Sequence, residues 1–343
     1  MQVWRGAGEV PADLGPTVAT LGIFDGVHRG HQVVLAATVA EAEAAGLTSV
    51  AVTFDPHPAT VHRPEEPFVL ISSLTDRLER LAGTGVDAVL VLEYTLEFAR
   101  STPEEFVRRY LVDLLHAHVV VVGEDVRFGR ANTGDRRTMA ELGRRLGFGV
   151  EIIEDIAHPE TGRRWSSTWV RELLAEGDVA GAAHVLGRPH RVRGVVVHGA
   201  KRGRELGYPT ANLHADDLGV VPADGVYAGW LIRPEHAPHD GTSKRLPAAI
   251  SVGTNPTFHG VERTVEAYVL GRTDLDLYGE EVVVELVERL RPMVAFDGIP
   301  ALLDQMADDV IRSAQILGVP APQVPTPQVP AKPAPAPRAP DRR

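Results

Sequence analysis

Two histidines three positions apart, His28 and His31, close the run LGIFDGVHRGH at 21–31, just after two glycines that flank an aspartate. Imidazoles beside glycines in a turn suit an anion: the glycines let the backbone approach it, and ring N–H groups can donate to it. If a helix begins there, its free N–H groups favour phosphate further. A helix-start pair with no ligand, or half of a metal site, are the plainer readings of His-x-x-His. The combined string is more specific than its parts, and no third ligand lies at a telling spacing, so phosphate contact is the preferred reading. Three later stretches carry similar groups. TFDPHP at 53–58 holds Asp55 and His57 beside two prolines that stop a strand. VGEDVRFG at 122–129 sets Asp125 and an arginine between two glycines. Ser166-Ser167-Thr168 precedes Arg171, and hydroxyls at a helix start with an arginine one turn on can both cap the helix and cradle a triphosphate.

The second half has its own group. HGAKRGRELGYPTANL at 198–213 joins Gly199, Gly203 and Gly207 with Lys201 and Arg204 in a basic glycine loop, followed by Thr210 and Asn212. A hydroxyl and an amide oxygen two residues apart are hard donors suited to Mg²⁺ carried on nucleotide phosphates. A structural turn can use the same residues, but the basic loop beside them favours a nucleotide. In TVEAYVL at 264–270, alternation puts Glu266 on the face opposite Val265 and Ala267. A solvent-facing glutamate in a half-exposed strand is the simplest account of it.

These groups need elements to position them. From Val18 onward, apolar strand candidates (Val18–Ile23, Ser49–Phe54, Ala88–Leu92, Val119–Gly123, Val150–Ile153) alternate with helical patterns at His31–Ala45, Leu74–Ala82, Pro103–Leu115 and Arg136–Leu146. Continuous Val/Ile/Leu strands alternating with helices predict a doubly wound parallel α/β domain, whose ligands bind at the carboxyl ends of the strands. The texture changes near Gly187. Short alternating runs follow at Val192–His198, Val226–Ile232, Ala248–Val252, Thr264–Leu270 and Val282–Leu290, predicting a small antiparallel barrel or sandwich. The polar stretch Pro234–Pro247 reads as a loop, and Ile299–Leu317 as a closing helix. Past Val319 the Pro/Ala-rich chain is expected to be disordered and is given no chemistry.

Composition narrows the classes. The 343 residues suffice for two domains, and 46 acidic against 35 basic residues give a formal charge of −11, which argues against non-specific nucleic-acid binding. With no cysteine, disulfides, thiolate metal sites and thiol nucleophiles are excluded. No run is apolar enough for a membrane span and no signal-peptide core opens the chain, so a soluble cytoplasmic protein is expected.

The four N-terminal segments in this order, with TLEFARSTPEEFVRRYL at 95–111, and the PTAN loop with AISVGTNPTF at 249–258, resemble the prokaryotic bifunctional riboflavin kinase/FMN adenylyltransferases, also called FAD synthetases. The resemblance covers about Val18 to Leu317. It implies a Rossmann-like nucleotidylyltransferase domain over 1–186, an antiparallel β-barrel riboflavin kinase with a terminal helix over 187–319, and a tail over 320–343. It implies that Glu266 is the general base of the kinase, and that Thr210 and Asn212 hold Mg²⁺ while Gly199, Lys201, Gly203, Arg204 and Gly207 cover ATP phosphates. In the first domain it makes His28 and His31 catalytic. Gly22, Phe24, Asp25, Gly26, Ser167, Thr168 and Arg171 then bind nucleotide, with Asp55, His57 and Asp125 as flavin or rim candidates. Riboflavin, FMN, FAD and ATP are the implied ligands, with no nucleic acid or membrane. Self-association is left open. An adenylyltransferase for another phosphorylated substrate, or a flavin-binding protein without turnover, are the alternatives.

Overall fold

The computed structural model describes residues 1–154, 157–199, 203, 206–213, 218–234, 244–257 and 260–323. These fall into two compact units, one built mainly from Met1–Gly194 and one mainly from Val195–Ala215, Asp224–Val284 and residues beyond 290.

The first unit is organised by a six-stranded parallel sheet in the order β1-β4-β3-β2-β5-β6: β1 (Gln2–Arg5), β2 (Thr17–Leu21), β3 (Thr48–Asp55), β4 (Ala88–Glu93), β5 (Ala117–Gly123) and β6 (Gly149–Ile153). Successive side chains on a strand point to opposite faces, so a strand covered on both sides must be apolar throughout. In β3, Val50 and Val52 join one cluster with Phe106, Leu111, Met139 and Leu142, while Ala51 joins another with Leu35, Leu78 and Leu81. The helices supplying those residues are α1 (Arg29–Ala45), α3 (Leu74–Ala82), α4 (Pro103–Phe106, continued as a π-helix over Val107–Leu114) and α5 (Arg136–Leu146). The short α2 is Pro58–His62, and α6 (Ser167–Glu176) and α7 (Val179–Leu186) follow the sheet. The doubly wound expectation is met. The edge strand β1, the short α2, and α7 were not anticipated.

Six strands close the barrel in the order β10-β11-β8-β7-β12-β9. They are β7 (His190–Val197), β8 (Ala211–Leu213), β9 (Gly225–Ile232), β10 (Arg245–Thr257), β11 (Gly260–Val269) and β12 (Glu281–Arg291). Barrel or sandwich is thereby decided as barrel. One strand was not anticipated and one boundary is corrected. Ala211–Leu213, absent from the expected strands, is a strand because its partners Val265–Ala267 and Val196–Val197 complete its hydrogen bonds. Arg245–Pro247, read as loop, begins β10 through pairing with Trp230–Ile232. Helix α8 (Ile299–Leu317) matches its expected span, and its Leu303, Val310 and Ala314 pack with Tyr208 and Tyr268. Lys201, Arg204 and the tail from 324 lie outside the described residues.

Candidate active sites

A cavity of about 680 Å³ opens at the carboxyl ends of the parallel strands, lined in part by Gly22, Phe24, His28, His31, His57, Asp125, Ser167, Thr168 and Arg171. The four N-terminal segments therefore converge there, as the strand-end rule requires. His28 is the N-cap of α1: its Nδ1 accepts the His31 backbone N–H at 3.4 Å, which leaves the ring proton on Nε2. The two imidazoles stack at 3.6 Å between centroids, and Phe24 meets His31 edge-on at 5.3 Å. Burial, with Arg164 nearby, pushes His28 down to about 4, and burial beside His28 also holds His31 well below the ordinary histidine range. Both rings are thus neutral rather than cationic at pH 7. The buried Nδ1 of His31 has no partner among the described residues. His57 caps α2 by accepting the Ala59 N–H at 3.0 Å, and burial lowers it to about 4 as well.

Helix α6 begins on this wall. Ser166 caps it, accepting from the Trp169 N–H, so the first-turn N–H groups at Ser167 and Thr168 start a new dipole beside the histidines. Asp125 is ion-paired with Arg164 at the same wall. Three expected residues do not reach the cavity surface. Asp25 is 2% exposed, and its carboxylate accepts from Ile71 N–H at 3.0 Å, Ser72 N–H at 3.3 Å and the Arg171 guanidinium. Burial raises its carboxyl, against the opposing pull of Arg171 and those N–H groups. Gly26 faces Ile71 and Leu186 instead. Asp55 turns to Arg77, whose Nη2 stands 3.4 Å away. In each case a tertiary partner claims the group.

Sequence reasoning missed the cavity's aromatic wall. Phe54, Tyr94, Phe98, Phe106 and Phe128 pack with centroids 5.4–6.3 Å apart, and His62 Nε2 lies 2.9 Å from Tyr94 Oη. A cluster drawn from β3, a 3₁₀ turn, the end of α4 and two loops has no single periodicity to betray it. Phe128 is held by Gly129, whose φ of +70° and Cβ direction, 2.6 Å from Pro103 N, admit no side chain.

The barrel carries the second group. Asn212 and Glu266 are register partners on β8 and β11. Thr210 Oγ1 donates to Glu266 Oε2 at 3.2 Å, and Asn212 Nδ2 donates to Thr210 O and Oγ1, each at 3.2 Å. Gly199 lies against this cluster, where a Cβ would stand 2.5 Å from the Asn212 amide. Gly203 O accepts from the Leu206 and Tyr208 N–H groups, and Gly207 takes φ +88° in the same turn. Among the described residues no group of three or more His, Cys, Asp or Glu side chains is placed to hold a metal.

The doubly wound α/β unit thus carries a polar, aromatic-walled cavity at its strand ends, and the barrel carries a Thr/Asn/Glu cluster beside a glycine turn, so each unit has a polar site of its own. The FAD synthetase family model matches residues 10–169 and the riboflavin kinase model residues 186–317. Over 305 residues the chain is 33% identical to the bifunctional riboflavin kinase/FMN adenylyltransferase of Escherichia coli, covering 89% of this chain and 94% of that one. It is 35% identical to the Pseudomonas fluorescens protein of the same name, over 94% and 99% of the two chains. The chain belongs to the bifunctional riboflavin kinase/FMN adenylyltransferase family. A solved structure described as a macrolide-efflux protein from Streptococcus pneumoniae also superposes, with a TM-score of 0.79 and 31% identity over 90% of this chain and 97% of that one. Among the described residues no helix is long and apolar enough to cross a membrane.

Proposed function

We propose that this chain makes both flavin cofactors: residues 187–319 phosphorylate riboflavin to FMN, and residues 1–186 adenylylate FMN to FAD. What carries the reading is that both family models match in this order, each over a region with its own polar site. In the barrel, the ribityl 5′-hydroxyl oxygen forms a bond to the γ-phosphorus of ATP as the bond to the ADP oxygen breaks. Glu266 takes the hydroxyl proton; an alcohol is a poor nucleophile without that transfer. Thr210 is already hydrogen-bonded to Glu266, so the base and the phosphate-side residues form one unit. The oxygens of Thr210 and Asn212 beside that carboxylate fit Mg²⁺ held jointly with nucleotide phosphates. When bound, the ion neutralises phosphate charge. The residues' own work is positioning.

In the α/β unit an FMN phosphate oxygen attacks the α-phosphorus of ATP, and pyrophosphate leaves. The nucleophile is already an anion, so no base is required. His28 donates from Nε2, His31 lines the same wall, and Ser167 and Thr168 present the start of α6 to the developing charge. The aromatic wall suits a flat, largely apolar ring system.

The test is incubation of the purified chain with riboflavin, ATP and Mg²⁺, with the flavins separated over time. FMN appearing first and FAD after it is the expected result. FMN alone would give the first half another phosphorylated substrate. No conversion from either riboflavin or supplied FMN would leave a flavin-binding protein without turnover.

A further inference from the structure

We propose, building on the adenylyl-transfer reading above, that Arg171 is a positioning residue rather than a triphosphate ligand. Tied to the buried Asp25 carboxylate, its guanidinium fixes the segment that holds Phe68 against His57 in the cavity wall. The guanidinium is engaged on three sides. It is ion-paired with Asp25, its Nε–H donates to Val69 O at 3.2 Å, and its plane lies over the Phe68 ring at 4.6 Å. Asp25 binds the same segment from the other side, accepting from the Ile71 and Ser72 N–H groups, and its backbone oxygen accepts from Ser167 Oγ at 2.9 Å. One buried ion pair therefore joins the glycine turn, the stretch 68–72 and the start of α6. Between Arg63 and Ser72 the chain has no helix or strand of its own, so these bonds anchor a stretch that lacks a ladder. Phe68 in turn stacks on His57 at 4.3 Å and an interplanar angle of 29°, and both line the cavity.

Charge points the same way. A carboxylate 2% exposed is tolerated only while it is paired. Turning Arg171 toward an incoming triphosphate would strip Asp25 of its counter-charge and leave two anions facing each other. The cation is already neutralised, so the phosphates gain little from it. Fixing the position of His57 is what the guanidinium can contribute, and a misplacement of about 1 Å can cost roughly 100-fold in rate.

The test uses the full chain with FMN supplied, so that the kinase plays no part, and measures kcat and the KM for ATP in Arg171→Met, Arg171→Lys, Asp25→Asn and the Arg171→Met/Asp25→Asn double variant. FMN formation from riboflavin in the same preparations serves as the control on folding. The expectation is a kcat lowered roughly 10- to 100-fold in Arg171→Met and Asp25→Asn alike, and no further loss in the double variant. The KM for ATP should stay within about threefold, and Arg171→Lys should recover part of the rate. A KM for ATP raised about tenfold by Arg171→Met but not by Asp25→Asn would overturn the proposal, as would losses that multiply in the double variant. Phe68→Leu keeps the test open should the ion-pair variants not fold: it leaves the pair intact and must still lower kcat, and an unchanged rate overturns the proposal. A wild-type chain that does not adenylylate FMN would instead remove the reading on which it rests.

Discussion

At His28 one ring nitrogen is committed and the other is available, and that division sets its chemistry. Nδ1 caps α1, so the proton resides on Nε2, and burial keeps the ring from taking a second proton until about pH 4. A donor with no charge to lose stays in one state across the pH range in which phosphates titrate. The unfolded chain takes up this proton near 6.5 and the folded chain only near 4. His28 therefore contributes stability that is full above 6.5 and lost as the pH falls through about 4. Ring resonances assigned to His28 should hold still from pH 8 to 5 and move near 4, and the unfolding midpoint of His28→Asn should fall less steeply with acid than that of the parent chain. A ring titrating at 6.5 would mean that the imidazole is solvated and charged, and would remove its role as a fixed neutral donor. Asp25 shows the reverse lesson. Its place in a glycine-rich turn suggested phosphate contact, yet its partner Arg171 lies 146 positions away, and nothing local announces that pairing.

Among the elements, the loop after β5 depends on a single glycine. Gly129 combines φ +70° with a Cβ direction 2.6 Å from the backbone nitrogen of Pro103, and Arg130 N–H donates to Ser101 O at 2.7 Å on the next residue. Gly129→Ala meets backbone rather than a flexible side chain, so the loop must lift from the start of α4. The φ strain alone costs about 1–3 kcal/mol. Lower thermal stability is expected, together with FAD formation reduced more than FMN formation, because Phe128 and Asp125 share that loop and the cavity wall. Equal losses in both reactions would place the damage elsewhere. The elements legible in the sequence are those whose stability is local or periodic: the buried strands with no polar face, α3 and α5 with one apolar stripe each, and α8. Those not legible owe their existence to distant partners. β1 is an edge strand made by pairing with β4, and β8 is three residues long and is a strand only because β7 and β11 lie beside it. The aromatic wall was hidden for the same reason: Phe54, Tyr94, Phe106 and Phe128 are brought together by the sheet and not by any spacing.

For the molecule as a whole, the two reactions share an intermediate but no residue. FMN leaves the kinase as an anion, in the field of a chain of formal charge −11, so it is retained only where local donors hold it. Neutral donors line the α/β cavity, and in the barrel the Glu266 carboxylate, once it has given up the proton it took, repels the new phosphate beside it. FMN should therefore be released to solution and rebound. Glu266→Ala should lower FMN formation by roughly 10²- to 10⁴-fold and leave FMN-to-FAD conversion near normal. His31→Ala should do the converse. Neither variant alone should make appreciable FAD from riboflavin, whereas an equimolar mixture should make it after a lag, with free FMN detectable in the interval. If both partial reactions persist and the mixture still yields no FAD, FMN does not pass through solution, and the argument from charge fails with it.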